Sequence, residues 1–235
     1  MDPLLLEVPV RVLNSNWTFF SALYANMTLR DTGTLLSSNE MPLRGRPGRV
    51  ECARMHREPL LQLIDRYVER HPGEADTGRR VKDFVLRNSD CFKRSLEAGH
   101  ITGSAWIVDA SGKRTLLTNH AKLNLWLQPG GHADGESDVL SVAMQECLEE
   151  TGLKDLKAVT LEIFDLDVHG IPERKGELSH FHYDIRFLLQ AGEDEEYVVT
   201  DESHDLAWVD MEFLEDYTLE WSMRRMRDKA IRHFS

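Results

Sequence analysis

A glycine-rich loop that leads directly into an acidic helix constrains the fold of this chain more than any other feature. The loop holds Gly130, Gly131 and Gly135, and the apolar residues of 137–151 recur at three- and four-residue spacing. That spacing predicts an amphipathic helix with one buried face. Glycine tolerates positive φ and close backbone approach, so the loop can bend tightly before the helix begins. We therefore expect a loop and a helix that pack together against a core.

The predicted helix carries three carboxylates on one side. Glu146, Glu149 and Glu150 stand at i, i+3 and i+4, so they share the side turned away from the apolar stripe. Like charges at this spacing weaken a helix unless something compensates them. Mg²⁺ can do so, because it takes oxygen ligands and is usually held by one or two carboxylates together with substrate phosphates. A solvated acidic face is the alternative interpretation of these three residues.

The ends of the helix complete a longer pattern. Ser137 or Asp138 can cap its start, and Gly152 stands where a glycine in the left-handed conformation would end it. With the preceding loop, the pattern resembles the signature of the Nudix hydrolases. The positions that match the signature are Gly131, Glu146, Glu149, Glu150, Gly152 and Leu153.

The chain departs from that signature at three positions. Gln145 stands where the family has an arginine, and Cys147 stands where it has a bulky apolar residue. The first glutamate of the signature falls on Ser137, while Glu136 comes one residue early. In the family the glutamate and the arginine orient the catalytic carboxylates. Ser137 and Gln145 could form hydrogen bonds in their place.

The resemblance implies an α/β fold: a Nudix-type α/β/α sandwich with a mixed β-sheet, preceded by a short helical N-terminal segment. The surroundings of the signature agree with it. Residues 100–108 are rich in strand formers, 109–112 are turn material, and 114–118 indicate a returning strand. We expect three regions: a poorly patterned N-terminal extension at 1–54, a helical segment at 55–98 and the Nudix hydrolase domain at 99–235.

Two regions outside the signature lead to more specific expectations. Asn, Ser and Thr interrupt the uncharged stretch 12–29 too often for a membrane span, so we expect no membrane partner and a cytoplasmic location. Helices are expected near 60–68 and 77–91. Residues 211–234 are typical of a terminal amphipathic helix. Its expected packing residues are Leu214, Leu219, Trp221, Met226 and Ile231.

A second segment carries candidate site residues. His180, His182, Asp184 and Arg186 alternate with apolar residues, which places them on one face of a strand. That face could line a cleft or face water, and we favour the cleft. Imidazoles can donate to phosphate or sugar oxygens and a guanidinium can grip phosphate, so His132, His180, His182 and Arg186 are the predicted substrate-binding residues. A zinc site at the two strand histidines is the alternative, but no further spaced ligand completes it.

The resemblance implies Mg²⁺-dependent hydrolysis of a phosphoanhydride bond in a nucleoside diphosphate linked to another group, with Mn²⁺ as a substitute ion. The predicted ion-binding groups are Glu146, Glu149, Glu150 and the Gly130 carbonyl. The same three glutamates and Glu202, a loop residue, are the predicted catalytic residues. Which carboxylate takes the proton of the attacking water stays open.

The net charge and the cysteines bear on the possible partners and functions of the chain. A formal charge of −12 argues against a nucleic-acid polymer as partner, so we expect a small phosphorylated substrate. Many such enzymes pair as dimers, and a homodimer is one expected assembly. A nucleotide-sensing module with little or no hydrolysis is the main alternative, supported by the departures at Ser137 and Gln145. An isoprenoid diphosphate isomerase would need a reactive cysteine, and Cys147 lies on the apolar helix face.

Overall fold

The computed structural model describes residues 55–173 and 178–235. All of them belong to one compact unit. Residues 1–54, for which the sequence predicts a poorly patterned extension, lie outside the described residues. Within the described part, no helix has the length and apolar character that crossing a membrane requires.

Two helices precede the sheet. Helix α1 spans Glu58–Arg70 and helix α2 spans Ala75–Arg87, with a short 3₁₀ turn at Pro72–Glu74 between them. A proline in its first turn suits the start of α1, because the missing N–H has no partner inside the helix there. The helical N-terminal segment is confirmed, although α2 begins two residues before the predicted 77 and ends four before the predicted 91. Both helices bury apolar side chains, which are Leu60, Leu61, Ile64, Tyr67, Val81, Phe84 and Val85.

The described part of the chain forms a mixed, eight-stranded sheet. Its strands are β1 (Gly99–Val108), β2 (Arg114–His120), β3 (Leu125–Leu127), β4 (Gly130–His132), β5 (Leu156–Ala158), β6 (Asp165–Ile171), β7 (His180–Ala191) and β8 (Ser203–Asp210). The order β3-β2-β1-β7-β5 forms the main path, while β4 pairs with β1, β6 with β7 and β8 with β2. Strands β1 and β7 run parallel and the other pairs are antiparallel, which confirms the predicted mixed sheet.

Helices cover both faces of this sheet. Helix α3 (Val139–Thr151) packs with α1 and α2 on the face that carries Ile101 and Ala105 of β1. Helix α4 (Trp221–Phe234) packs on the opposite face, against Trp106. Successive strand residues point to opposite faces, so β1 contributes to both layers of the core. The predicted α/β/α sandwich is thereby confirmed.

The C-terminal region differs from the prediction of one helix. A 3₁₀ helix, Met211–Asp216, precedes α4, and residues 217–220 between the two are not helical. The buried residues of α4 are Met223, Met226, Lys229 and Ala230, so Met226 packs as predicted. Leu214 is buried in the 3₁₀ helix, also as predicted. The prediction was wrong for three residues that are 68%, 72% and 43% exposed, namely Leu219, Trp221 and Ile231.

Candidate active site

The start of α3 is held by two acidic side chains. Asp138 is the N-cap, and its carboxylate accepts a hydrogen bond from the Ser141 backbone N–H at 3.2 Å. The Glu136 carboxylate accepts from the backbone N–H groups of Ser137 at 2.6 Å and of Asp138 at 2.9 Å. Gly152 ends the helix in the left-handed conformation at φ 67°. Glu136, one residue before the signature position, therefore serves to hold the helix start.

Two glycines of β4 leave room for neighbouring groups. A Cβ on Gly131 would lie 2.2 Å from a carboxylate oxygen of Glu146, so a side chain at this position would displace the carboxylate. Gly130 has φ +153°, and a Cβ there would lie 2.2 Å from the Cβ of Ser104 on β1. The glycine loop thus brings β4 against the acidic side of α3 and against β1 together.

Burial and neighbouring carboxylates together raise the pKa values of two glutamates on α3, Glu146 and Glu150. Burial raises the pKa of Glu146 to about 7, and the charges of Glu149 and Glu202 act in the same direction. Burial raises the pKa of Glu150 to about 8, with Glu202 and Glu146 adding to it and a hydrogen bond from the Gly130 backbone opposing it. The fold therefore collects the predicted carboxylates of helix and loop into one region of crowded negative charge.

Gln145 contacts one of these carboxylates directly. Its side-chain Nε2 donates a hydrogen bond to Glu149 Oε1 at 2.9 Å, one helical turn along α3. The amide stands where the signature has an arginine, and it orients the carboxylate without adding a positive charge. The hydrogen bond of Gln145 that the sequence predicts is thus present, whereas Ser137 takes part in the described hydrogen bonds only through its backbone N–H.

Five imidazoles lie together on one face of the sheet. It is the face on which α4 packs against Trp106, later in β1. They are His100, His132, His169, His180 and His182. From the ring centroid of His182, the other centroids lie 4.8 Å (His100), 5.0 Å (His132), 5.2 Å (His180) and 5.5 Å (His169) away. The strand register causes this gathering, because His100 of β1 and His169 of β6 both stand opposite His182 of β7.

Burial keeps the central imidazoles neutral. It lowers the pKa of His182 to about 2 and that of His100 to about 4, and the charge of His132 acts in the same direction on both. His100 is only 3% exposed, and neither of its ring nitrogens has a hydrogen-bond partner among the described residues. Neutral imidazoles with unused nitrogens are available as acceptors or as metal ligands.

Arg186 lies further along the same strand face and is enclosed by carboxylates. It is 3% exposed, and its Nε donates to Asp184 at 2.7 Å. Its two terminal nitrogens donate to Asp165 at 3.2 Å and to Asp167 at 3.1 Å. Both terminal nitrogens of the guanidinium are thus already engaged within the fold.

A sequence model of the NUDIX domain matches residues 100–230, which is more than half of the 235-residue chain. The chain belongs to the Nudix hydrolase family. Among curated relatives, the m7GpppN-mRNA hydrolase NUDT17 of Xenopus laevis is 29% identical over 121 residues, which are 48% of this chain and 40% of that protein. Its human counterpart is 41% identical over 56 residues, or 22% and 17% of the two chains. This chain thus covers two fifths or less of these relatives' length.

Solved structures of other Nudix proteins also resemble this chain. A Caenorhabditis elegans Ap4A hydrolase complex superimposes with a TM-score of 0.46 at 18% identity, covering 57% of this chain and 96% of that one. A NUDIX family hydrolase from Clostridium perfringens gives a TM-score of 0.45 at 18% identity, covering 57% and 97%.

The structure separates the sequence-predicted residues of this Nudix domain into three places. The glutamates of α3 gather with Glu202 at one place, and His132, His180 and His182 gather at a second. Arg186 lies in a third place, where it forms ion pairs with Asp165, Asp167 and Asp184. Sequence reasoning missed His100, which stands on another strand far from His180 and His182 in the chain. Only the pairing of β1 with β7 brings it to them.

Proposed function

We propose that this Nudix protein hydrolyses a phosphoanhydride bond in a nucleoside diphosphate linked to another group, and that Mg²⁺ supports the reaction, with Mn²⁺ as a substitute. The observation that carries the proposal is that the signature glutamates Glu146 and Glu150 are partly buried beside other carboxylates, so that burial first and neighbouring charge second raise their pKa values. Crowded, partly buried carboxylates are costly unless a cation joins them.

The chemistry of these residues suits such an ion. Three carboxylates on one helix supply the oxygen ligands that Mg²⁺ prefers, and Gly131 leaves space beside the Glu146 carboxylate. Glu146, Glu149 and Glu150 would hold the ion, and the Gly130 carbonyl would add a further oxygen. When bound, the ion would neutralise phosphate charge and make the phosphorus easier to attack.

The other residues of the site have separate roles in this proposal. Gln145 holds the Glu149 carboxylate in place through its hydrogen bond. Glu202 lies on a different element and close enough to raise the pKa of both Glu146 and Glu150. We assign it to accept the proton of the attacking water. Arg186 is left out of the phosphate-binding set, because three aspartates already hold it.

A turnover screen with the full chain tests the proposal. Sugar nucleotides, dinucleoside polyphosphates and nucleoside triphosphates are incubated with Mg²⁺ or Mn²⁺, and the products are identified by mass. Glu149→Gln and Glu150→Gln should each lower kcat at least about 100-fold, since several kcal/mol of charge stabilisation depend on the ion. Glu196→Gln changes an exposed glutamate in the same way and is the matched control. Turnover that survives both helix substitutions would refute the assignment.

The named relatives suggest where the screen should begin. Both are called m7GpppN-mRNA hydrolases, so a methylated 5′–5′ cap dinucleotide is the first compound to test. A small dinucleotide also suits a chain with a formal charge of −12 better than a long RNA does. We further propose a cytoplasmic location. We also propose a homodimer, whose molecular mass light scattering would measure. Binding of the dinucleotide without turnover in the wild type would favour the nucleotide-sensing alternative.

A further inference from the structure

Three histidines converge at one end of the sheet, separately from the glutamates of α3. One ring nitrogen from each of His100, His180 and His182 lies within 4.8 Å of the other two. They come from β1 and from the first three residues of β7, two strands paired in parallel register. The convergence therefore depends on the pairing of the two central strands of the sheet.

His100 supplies the strongest sign that a ligand is missing from this cluster. It is 3% exposed, and neither Nδ1 nor Nε2 has a hydrogen-bond partner among residues 55–173 and 178–235. A buried polar group without a partner costs about 1–3 kcal/mol. Its ring centroid lies 5.1 Å from that of His180 and 4.8 Å from that of His182, so the unused nitrogens lie within the cluster.

The other two histidines have the spacing that a tetrahedral ion requires. Their Nε2 atoms lie 3.3 Å apart. Two nitrogens that are each about 2.0–2.1 Å from a tetrahedral zinc ion lie roughly 3.3 Å from each other. The Nδ1 atom of His180 lies 2.8 Å from the carbonyl oxygen of Leu178. A hydrogen bond from Nδ1–H to that carbonyl leaves the Nε2 lone pair free for an ion, as in most histidine metal ligands.

We propose that His100, His180 and His182 bind one divalent transition-metal ion, with Zn²⁺ as the preferred species. Imidazole nitrogen suits zinc, copper and nickel, whereas Mg²⁺ takes oxygen ligands. Burial holds the pKa values of His100 and His182 low, so no proton competes for their nitrogens at neutral pH. His132, with ring centroids 5.0 Å from those of His100 and His182, lines the remaining side.

This site is distinct from the proposed magnesium site. On β4, the Cβ position of Gly131 points at Glu146, whereas His132 is the next residue and points to the opposite face of the sheet. The two sites are thus neighbours on either side of one strand. A three-histidine ion keeps one open position, so a water or a substrate oxygen can still bind there. The ion and the predicted substrate contacts of these histidines are therefore compatible.

The test is direct metal binding by the full chain after treatment with a chelator. Co²⁺ is titrated in place of Zn²⁺, because tetrahedral cobalt bound to imidazole absorbs visible light strongly and octahedral cobalt in an oxygen site does so weakly. We expect one equivalent of strongly absorbing cobalt that Zn²⁺ displaces and excess Mg²⁺ does not. Zn²⁺ should also raise the Tm, since it binds the folded state.

Substitutions locate the ion. His180→Asn, at a partly exposed position, and His100→Gln should each weaken cobalt binding at least about 10-fold, the loss seen when only a ligand's hydrogen-bond partner is changed. His204→Asn, at an exposed histidine on β8, is the matched control and should bind as the wild type does. Glu150→Gln should also keep the cobalt site, which separates this proposal from the hydrolytic one. Absence of binding, or binding lost in Glu150→Gln and retained in His180→Asn, would overturn the proposal.

Discussion

Gly131 is a residue whose missing side chain is needed at the proposed site. A Cβ at this position would lie 2.2 Å from a Glu146 carboxylate oxygen, which can move away only by leaving its place in the carboxylate cluster. Gly131→Ala should therefore lower kcat about 100-fold, the effect of displacing a catalytic group by roughly 1 Å, while the Tm changes little. Gly73→Ala, with no atom within 4 Å of the added Cβ, is the control. An active Gly131→Ala protein would contradict the placement of Glu146 in the site.

Gln145 allows the departure from the Nudix signature to be tested directly. Its amide donates to Glu149 at 2.9 Å, and an arginine there would replace a neutral donor with a charged one. A charge-assisted bond is roughly twice as strong, so Gln145→Arg should raise kcat about fivefold and Gln145→Ala should lower it. Steady-state kinetics on the substrate found in the screen measures both. Equal rates in all three proteins would mean that position 145 does not orient Glu149.

Local patterns predict the helices and strands well where a single face is buried. The amphipathic spacing locates α3 almost to the residue, because its caps, Asp138 and Gly152, are local signals. The alternation in β7 correctly places His182 and Arg186 on one face. The C-terminal helix was harder to predict, since Leu219 and Trp221 are apolar yet exposed. No local signal in the sequence marks the non-helical residues 217–220 between the 3₁₀ helix and α4.

Helix α4 carries a buried charge that a hydrophobic pattern does not reveal. The side chain of Lys229 is only 5% exposed. Its Nζ donates hydrogen bonds to Asp165 at 2.6 Å, to the Tyr67 hydroxyl at 2.8 Å and to Glu74 at 2.9 Å. It thereby joins α4 to α1 and β6. A lysine in an amphipathic helix is ordinarily expected to face water, which is why the sequence alone does not single it out.

Lys229→Met should therefore destabilise the protein far more than the loss of a surface ion pair does. Removing one partner from a buried network costs about 3–5 kcal/mol, because the remaining groups stay buried. Lys154→Met removes an exposed lysine that pairs with Asp194, and should cost at most about 1 kcal/mol. Urea unfolding followed by circular dichroism measures both values. A Lys229→Met loss no larger than that of the control would show that the network adds no stability.

Contacts between distant parts of the chain explain what the sequence could not predict. His100 and His182 are neighbours only because β1 and β7 pair in parallel with this register. The aspartates around Arg186 come from β6 and β7, and Arg225 and Lys229 approach them from α4. A single sequence shows the residue types, but not which of them the sheet and its covering helix bring together.

The same network predicts how the protein responds to acid. Burial acts to raise the pKa values of Asp165 and Asp167, but bonds and charges from Arg225, Arg186, Lys229 and His169 outweigh it and hold both values below the usual range. Carboxylates with a lowered folded-state pKa stabilise the fold above their unfolded pKa, at about 3.9. That stability is lost as the pH falls through the folded-state values. The contribution of this network to the free energy of unfolding should therefore be constant near neutral pH and decline below about pH 4.

Asp167→Asn tests this origin of acid sensitivity at a partly exposed position, where the substitution need not prevent folding. The variant should be less stable than the wild type at pH 7, because Arg186 loses one of its three aspartates. Its stability should fall less steeply below pH 4, because one titrating carboxylate is gone. Asp201→Asn, at an exposed loop position, should follow the wild-type curve. Urea midpoints measured between pH 3 and pH 7 supply the comparison. Parallel curves for Asp167→Asn and the wild type would show that groups other than Asp167 cause the loss of stability in acid.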